Sequence, residues 1–243
     1  MKGVDVSHYQ AGLTIGMLRG AGLRFAVLKL TEGEKTRDGS AFGFYREAYD
    51  LGFPVGGYCY SRALTAEAAR REAGFMLDTV RGFPMPCGLF LDIEEPEQLA
   101  LGHDALLELV RAFCERIRAA GYVPGVYGSA GTLWAKIRPE ELPEGTLVWC
   151  ARWGDTPPAI ACDLWQTGDQ GRVEGYGGPV DTDETLSGRF EALVRAGFGK
   201  GARPQAGELR TLLSALGQYL QTEEFYEGFM DFMEGREKNE RAR

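Results

Sequence analysis

The sequence predicts an α/β chain, an irregular TIM-like β/α barrel of about five β/α units plus three further strands, with a helical appendage at its C-terminus. Three observations carry that expectation. Short apolar runs alternate with amphipathic stretches over the first two thirds of the chain. Several amphipathic stretches stop at a glycine just before the next apolar run. From about residue 147 the runs are joined by Gly/Pro/Asp-rich connections instead. Repeated β-α-β units imply parallel strands with right-handed crossovers, and five in succession favour a closed barrel over an open sheet.

In chain order, strands are expected at Gly3–Val6, Phe25–Leu30, Val55–Tyr60, Gly88–Ile93 and Val123–Tyr127. Helices are expected between and after them at Ile15–Gly20, Ala41–Leu51, Ala66–Val80, Asp104–Ala120 and Ala130–Ile137. The fourth helix has the clearest period, with Leu106, Leu109, Val110, Phe113 and Ile117 on one face. Gly22, Gly52 and Gly121 are C-cap glycines. Strands at Leu147–Ala151, Asp163–Gln166 and roughly Arg172–Val180, then a helix near Leu186–Ala196, complete a domain of residues 1–198.

A flexible linker over 199–205 follows, centred on Gly199-Lys200-Gly201-Ala202-Arg203-Pro204. Residues 206–243 read as a helical hairpin with two apolar faces, Leu209, Leu212, Leu213, Leu216 and Leu220, then Phe225, Phe229, Phe232 and Met233. A hairpin this short cannot bury that surface alone, so it must dock on the rest of the chain, bind the target or pair with its own copies. Its eight acids against five bases and the flexible linker favour a homo-oligomer through 206–243.

Composition narrows the function classes. Hydrophobic residues at 44% and aromatics at 11% suffice for one full core. A net charge of −8 argues against nucleic acid and against an anionic membrane surface as partners. No apolar run reaches the roughly 18 residues that a membrane span needs. The N-terminus enters a strand pattern at once, so the expectation is synthesis in the cytoplasm without a signal peptide, and a target outside the membrane would need some other release route. The five cysteines are widely spaced, with no Cys-x-x-Cys pair and only His8 and His103 to assist, a poor zinc set. Buried, reduced thiols are expected.

The chemistry lies in acids at strand ends, because the site of a parallel barrel sits at that end. Leu89-Phe90-Leu91-Asp92-Ile93-Glu94 is an apolar strand closing on two carboxylates that share a face, with Cβ atoms about 7 Å apart. Such a pair raises the pKa of its more enclosed member, and a carboxyl protonated near neutral pH is what general-acid cleavage of a glycosidic bond requires. A solvated strand end or a helix cap would look the same in isolation. Asp5 ends the first strand and Asp181 follows Gly178-Pro179-Val180, bringing four acids to one end. Tyr58, Tyr60, Tyr127, Trp149, Trp153 and Trp165 fall at the same level. Aromatic faces there suit sugar rings, although each alone is as readily a core residue.

The chain further resembles glycoside hydrolase family 25, the lysozymes of fungi, bacteria and phages. The resemblance rests on Gly3-Val-Asp-Val-Ser-His8, Phe25-Ala-Val-Leu-Lys-Leu-Thr-Glu-Gly33, Gly56-Gly-Tyr-Cys-Tyr60 and Leu91-Asp-Ile-Glu94. It continues through Gly125-Val-Tyr-Gly-Ser129, Val148-Trp-Cys-Ala-Arg-Trp153, Leu164-Trp-Gln166 and Gly178-Pro-Val-Asp-Thr-Asp183, in family order, up to about residue 190. It implies an irregular barrel and hydrolysis of the β-1,4 bond between N-acetylmuramic acid and N-acetylglucosamine in bacterial peptidoglycan, with no metal or cofactor. By resemblance Glu94 is the proton donor, Asp92 the acid two residues before it, Asp5 and Asp181 the flanking aspartates, and Tyr58 a tyrosine of the cleft floor. Glu32 also matches a family position, where it serves the site or holds Lys29. The chain departs from the family in Cys59-Tyr60, where His-Phe is usual, and in Trp153, often a tyrosine. The expected lack of a leader fits a phage or prophage endolysin released to the wall by a holin-type route, and fits another secretion route equally well. A non-catalytic wall-binding module and a hydrolase of chitin-like polymers are the rival readings.

Overall fold

The computed structural model describes residues 1–80 and 83–198. The linker and hairpin expected at 199–205 and 206–243 lie outside the described residues, as does the self-association assigned to them. Among the described residues nine strands are present: β1 (Lys2–Val6), β2 (Ala26–Glu32), β3 (Thr36–Arg37), β4 (Val55–Tyr60), β5 (Leu89–Asp92), β6 (Pro124–Ser129), β7 (Leu147–Ala151), β8 (Leu164–Gly171) and β9 (Val180–Thr185). The helices are α1 (Ile15–Gly20), α2 (Ala41–Leu51), α3 (Ala66–Thr79), α4 (Pro96–Leu99), α5 (His103–Ala119) and α6 (Gly188–Ala196).

The strands run in the order β1-β9-β8-β7-β6-β5-β4-β2-β3, and a parallel β1–β2 pairing closes eight of them into a barrel. Strands β1, β2 and β4 to β8 are parallel to their neighbours in that series. β9 is antiparallel to both β1 and β8. A parallel neighbour would need a long crossover, whereas β8 and β9 are joined by a short loop that returns the chain directly. The strand expected at Arg172–Val180 is accordingly displaced. Gly175, Gly177, Gly178 and Pro179 form the connecting loop, with Gly175 at φ 83°, and the strand begins at Val180.

The helix expected at Ala130–Ile137 is a single 3-10 turn, Leu133–Ala135. Gly131 and the β-branched Thr132 weaken its first turn, Pro139 stops it, and Leu133 and Trp134 are drawn into the core. The other helices lie close to expectation. Gly52 ends α2 in the left-handed region at φ 64°, and the Thr65 hydroxyl caps α3 by accepting from Ala68 N. α5 buries Leu106, Leu109, Val110, Phe113 and Ile117.

Inside the barrel, Val27, Phe90, Tyr127, Leu147, Trp149 and Leu164 form one apolar cluster with Phe25, and α6 adds Phe190 and Val194 to it. Gly125 faces Phe90, and a Cβ there would sit 2.2 Å from the ring. With one end filled, the polar inward residues are left to the strands' C-terminal end. Cys59, Cys87, Cys114 and Cys150 are buried and Cys162 half-buried, all as free thiols.

Candidate active site

A cleft of about 310 Å³ opens at the C-terminal ends of the parallel strands. Each strand contributes side chains by simple alternation: Asp5 from β1, Lys29 from β2, Tyr58 and Tyr60 from β4, and Asp92 from β5 with Glu94 just beyond it. Tyr127 of β6, Trp149 of β7, Gln166 of β8 and Asp181 of β9 complete the wall. Asp181 arrives by a different route from the other acids. It stands near the start of the antiparallel β9, directly opposite Asp5 in register, so the beginning of that strand meets the ends of the rest. A register shift between Lys29 and Thr31 marks an irregularity in β2 just where Lys29 reaches the cleft.

Hydrogen bonds fix the wall. Gln166 Nε2 donates to Asp5 Oδ2 at 2.8 Å, while Gln166 Oε1 accepts from Tyr127 at 2.9 Å and from Trp153 Nε1 at 3.1 Å. Trp149 Nε1 donates to Asp183 Oδ1 at 2.8 Å. On the far side, the Tyr60 hydroxyl donates to Glu95 at 2.7 Å, and Lys29 Nζ pairs with Glu32 at 2.8 Å. Arg62 bridges Glu32 and Glu95, and both Lys29 and Arg62 lie over the Tyr60 ring.

Electrostatically the cleft is a place where carboxyls keep protons. Burial raises Asp92 well above the usual range; the negative charge of Glu94 adds to this and the Lys29 ammonium opposes it. Glu94 keeps contact with solvent at the cleft mouth, yet partial burial raises its carboxyl too, a hydrogen bond with Tyr127 acting the other way and Asp181 and Glu95 adding to the rise. Burial pushes Asp181 up to about 6, with Asp169 contributing and a hydrogen bond with Asp5 opposing. Asp5 and Asp183 are raised well above the normal range, chiefly by burial. One oxygen of Asp92, Oδ1, is buried without a hydrogen-bond partner among the described residues. Among those residues no group of three or more His, Cys, Asp or Glu is arranged to hold a metal ion.

Of the residues singled out from sequence, Asp5, Asp92, Glu94, Asp181, Tyr58, Tyr60, Tyr127 and Trp149 meet in this cleft. Trp153 is at its edge, 60% exposed and tied to Gln166. Trp165 is not in the cleft: it stands in register with Cys150 on the outer face of the sheet, and its Nε1 donates to Arg152 O at 2.7 Å. Strand parity explains this, since Trp149 and Gln166 point inward and their immediate neighbours must point out. Glu32 also lies outside the cleft, in an adjoining charged concavity with Glu34, Lys35, Arg62 and Glu72, where it anchors Lys29. Sequence reasoning missed Asp183, Gln166, Lys29 and the exposed Tyr9. For Asp183 and Gln166 the available signal was their position in the quoted motifs, at i+2 from Asp181 and one after Trp165.

The chain matches the family model "Glycosyl hydrolases family 25" over residues 4–176. It is 28% identical over 192 residues to the autolytic lysozyme of Clostridium acetobutylicum, covering 77% of this chain and 56% of that protein. It is 25% identical over 198 residues to lysozyme M1 of Streptomyces globisporus, covering 76% and 67% respectively. The chain thus spans little more than half the length of the first of these relatives. Among solved structures, the bacterial lysozyme of Streptomyces coelicolor aligns with a TM-score of 0.68 at 25% identity, over 80% of this chain and 96% of that one. The catalytic domain of endolysin ply40, from bacteriophage P40 of Listeria monocytogenes, aligns with a TM-score of 0.69 at 23% identity, over 80% and 97%, and shares the fold. With the family model spanning most of the barrel and its cleft, the chain belongs to the glycosyl hydrolases of family 25.

Proposed function

We infer that this protein is a muramidase, hydrolysing the β-1,4 bond between N-acetylmuramic acid and N-acetylglucosamine in bacterial peptidoglycan. The observation that carries this reading is the pair at the end of β5. Asp92 is buried with an unpartnered oxygen on the cleft wall, and Glu94 stands two residues on, open to solvent and holding its proton more tightly than an ordinary glutamate. Glu94 protonates the leaving glycosidic oxygen. Asp92 Oδ1 accepts the N–H of the 2-acetamido group, whose carbonyl oxygen then attacks the anomeric carbon, the substrate-assisted exception to the two-carboxylate scheme. Tyr58, Tyr127 and Trp149 give the floor an apolar lining for the sugar ring.

Digestion of purified peptidoglycan tests the reading through its products. New reducing ends on muramic acid are expected; ends on glucosamine, or binding without cleavage, would overturn it. Glycan de-N-acetylated at muramic acid should bind and resist cleavage. Equal rates on both glycans would favour direct attack by water activated by an aspartate. Self-association through residues 206–243 remains a proposal from sequence. Light scattering on the full chain and on one ending at Ala202 tests it, a monomeric full chain being the result that overturns it.

A further inference from the structure

Asp183 is the most enclosed acid of the barrel end, 1% exposed, and it does not line the open cleft. Its Oδ1 accepts from Trp149 Nε1 at 2.8 Å, while its Oδ2 is buried with no donor among the described residues. Asp5, itself 6% exposed, is the diagonal neighbour of Asp183 across the β1–β9 strand pair, where Asp5 stands in register with Asp181 and Gly3 with Asp183, so the two carboxyls share the inward face. One oxygen of Asp5, Oδ2, is already taken by Gln166 Nε2. Ionised carboxylates only accept, so two of them cannot hydrogen-bond unless one keeps a proton. Gly3, opposite Asp183 in register, has its missing Cβ position filled by the Phe25 ring, which leaves no space on that side for a solvent bridge.

We propose that Asp183 is a positioning residue of the reaction, sharing one proton with Asp5 and thereby locking Asp5 and the Trp149 indole into the cleft wall. Burial and the acidic neighbours favour retention of that proton, while the hydrogen bonds donated by Gln166 and Trp149 oppose it. Asp181 of β9 and Asp92 of β5 are acidic, and Tyr58 of β4, Tyr127 of β6, Trp149 of β7 and Gln166 of β8 are neutral. Lys29 of β2 is the one cation on the cleft wall among the described residues, and it is paired with Glu32. Asp183 touches no reacting atom. It acts through Asp5, which lines the cleft, and through Trp149, which forms part of the floor.

The test compares Asp183→Asn with Asp183→Ala in the full chain. An asparagine oxygen can still accept from Trp149, and its amide N–H takes the place of the shared proton. Asp183→Asn should therefore keep most of the activity, while Asp183→Ala should lose up to ~100-fold, mainly in kcat, as expected for slack in a catalytic wall. A second readout needs no activity. A carboxyl raised in the folded state contributes stability at low pH that is lost as pH rises through its folded value. Asp183→Asn removes that loss, so its melting temperature relative to wild type should climb as pH rises above the ordinary carboxylate range. A difference that stays flat over that rise overturns the proposal, as does an Asp183→Asn variant as crippled as Asp183→Ala. The kinetic arm rests on the muramidase reading, whereas the melting arm stands whether or not peptidoglycan is cleaved.

Discussion

Two acidic regions lie side by side on this barrel, and the solvent-facing acids of one behave opposite to the buried acids of the other, with which the buried Glu72 sides. In the cleft, Asp5, Asp92, Glu94, Asp181 and Asp183 all hold protons more tightly than ordinary carboxyls. In the adjoining concavity, Glu32 and Glu34 are held below the ordinary range, through hydrogen bonds from Lys29 and Arg62 in one case and from Arg71 in the other. The difference lies in solvent and counter-ions. Strand alternation buries the cleft acids together beside one lysine, while Glu32 and Glu34 stay open to water and in direct contact with Lys29 and Arg62 or with Arg71. A glycosidase needs a carboxyl that is still protonated when it meets its substrate. Burial of carboxyls beside one another at the strand ends supplies that condition here without an unusual residue.

The largest effect should come from the cleft's exposed acid. Glu94→Gln should lower turnover by at least ~100-fold, the usual scale for a lost general acid, with wall binding retained. Because Glu94 works protonated and its carboxyl is raised, wild-type activity should persist above the range of an ordinary glutamate and fall as pH rises through its shifted value. A variant that keeps most of its activity would remove Glu94 from the acid role and leave the contrast between the two regions without a catalytic meaning.

Next comes the cation they share. Lys29 pulls the Asp92 carboxyl down, and Asp92 works ionised in the proposed reaction. Lys29→Met should raise Asp92 further, moving the acidic limb of the pH–rate profile to higher pH and costing on the order of tenfold at the acidic end. Glu32→Gln should shift the same limb the other way by less, since it removes a negative charge that raises Asp92 and leaves the Lys29 ammonium in place. An acidic limb that stays put in Lys29→Met would mean that Lys29 only props Tyr60.

Two tryptophans, Trp153 at the rim and Trp165 on the outer face, give a smaller and more local contrast. Trp153, exposed at the rim, should weaken substrate binding by a few-fold as Trp153→Ala, about 1 kcal/mol for a lost ring contact. Trp165→Phe should leave kinetics unchanged and cost about 1 kcal/mol of stability for the bond to Arg152 O. Steady-state kinetics beside thermal melts would separate them, and a kinetic defect in Trp165→Phe would contradict its outward placement.

Asp5, Asp92 and Glu94 were legible in the sequence because an acid closing an apolar parallel strand has one place to go. Asp181 was legible as an acid of the site for the wrong reason. It begins an antiparallel strand, as the short helix-free loop before it requires, and that strand starts at Val180, where the sequence pattern ends it. The same displacement hid Asp183, which reads as one more polar residue of a solvated strand until Trp149 and Asp5 close over it. Trp165 went astray through parity: a one-residue difference in where β8 starts turns every side chain to the other face. The 3-10 turn at Leu133–Ala135 was missed because its apolar residues have helical spacing, while Gly131 and Pro139 bound too short a segment for an α-helix to pay back its nucleation.

The smallest expected effect is the control for the whole comparison. Glu34 pairs with Arg71 at 2.9 Å on the surface, in the same concavity as Glu32, and Arg71 belongs to α3. Water screens such a pair, and holding two long side chains together offsets much of what the attraction gains. Glu34→Gln should therefore leave both the melting temperature and the pH–rate profile where they were. It removes a negative charge from the neighbourhood of the site, as Asp183→Asn does, but from a place where solvent dissipates the field. If Glu34→Gln moved the acidic limb as far as Lys29→Met, charge alone would be steering the cleft at long range, and burial would lose its place as the reason the two regions differ.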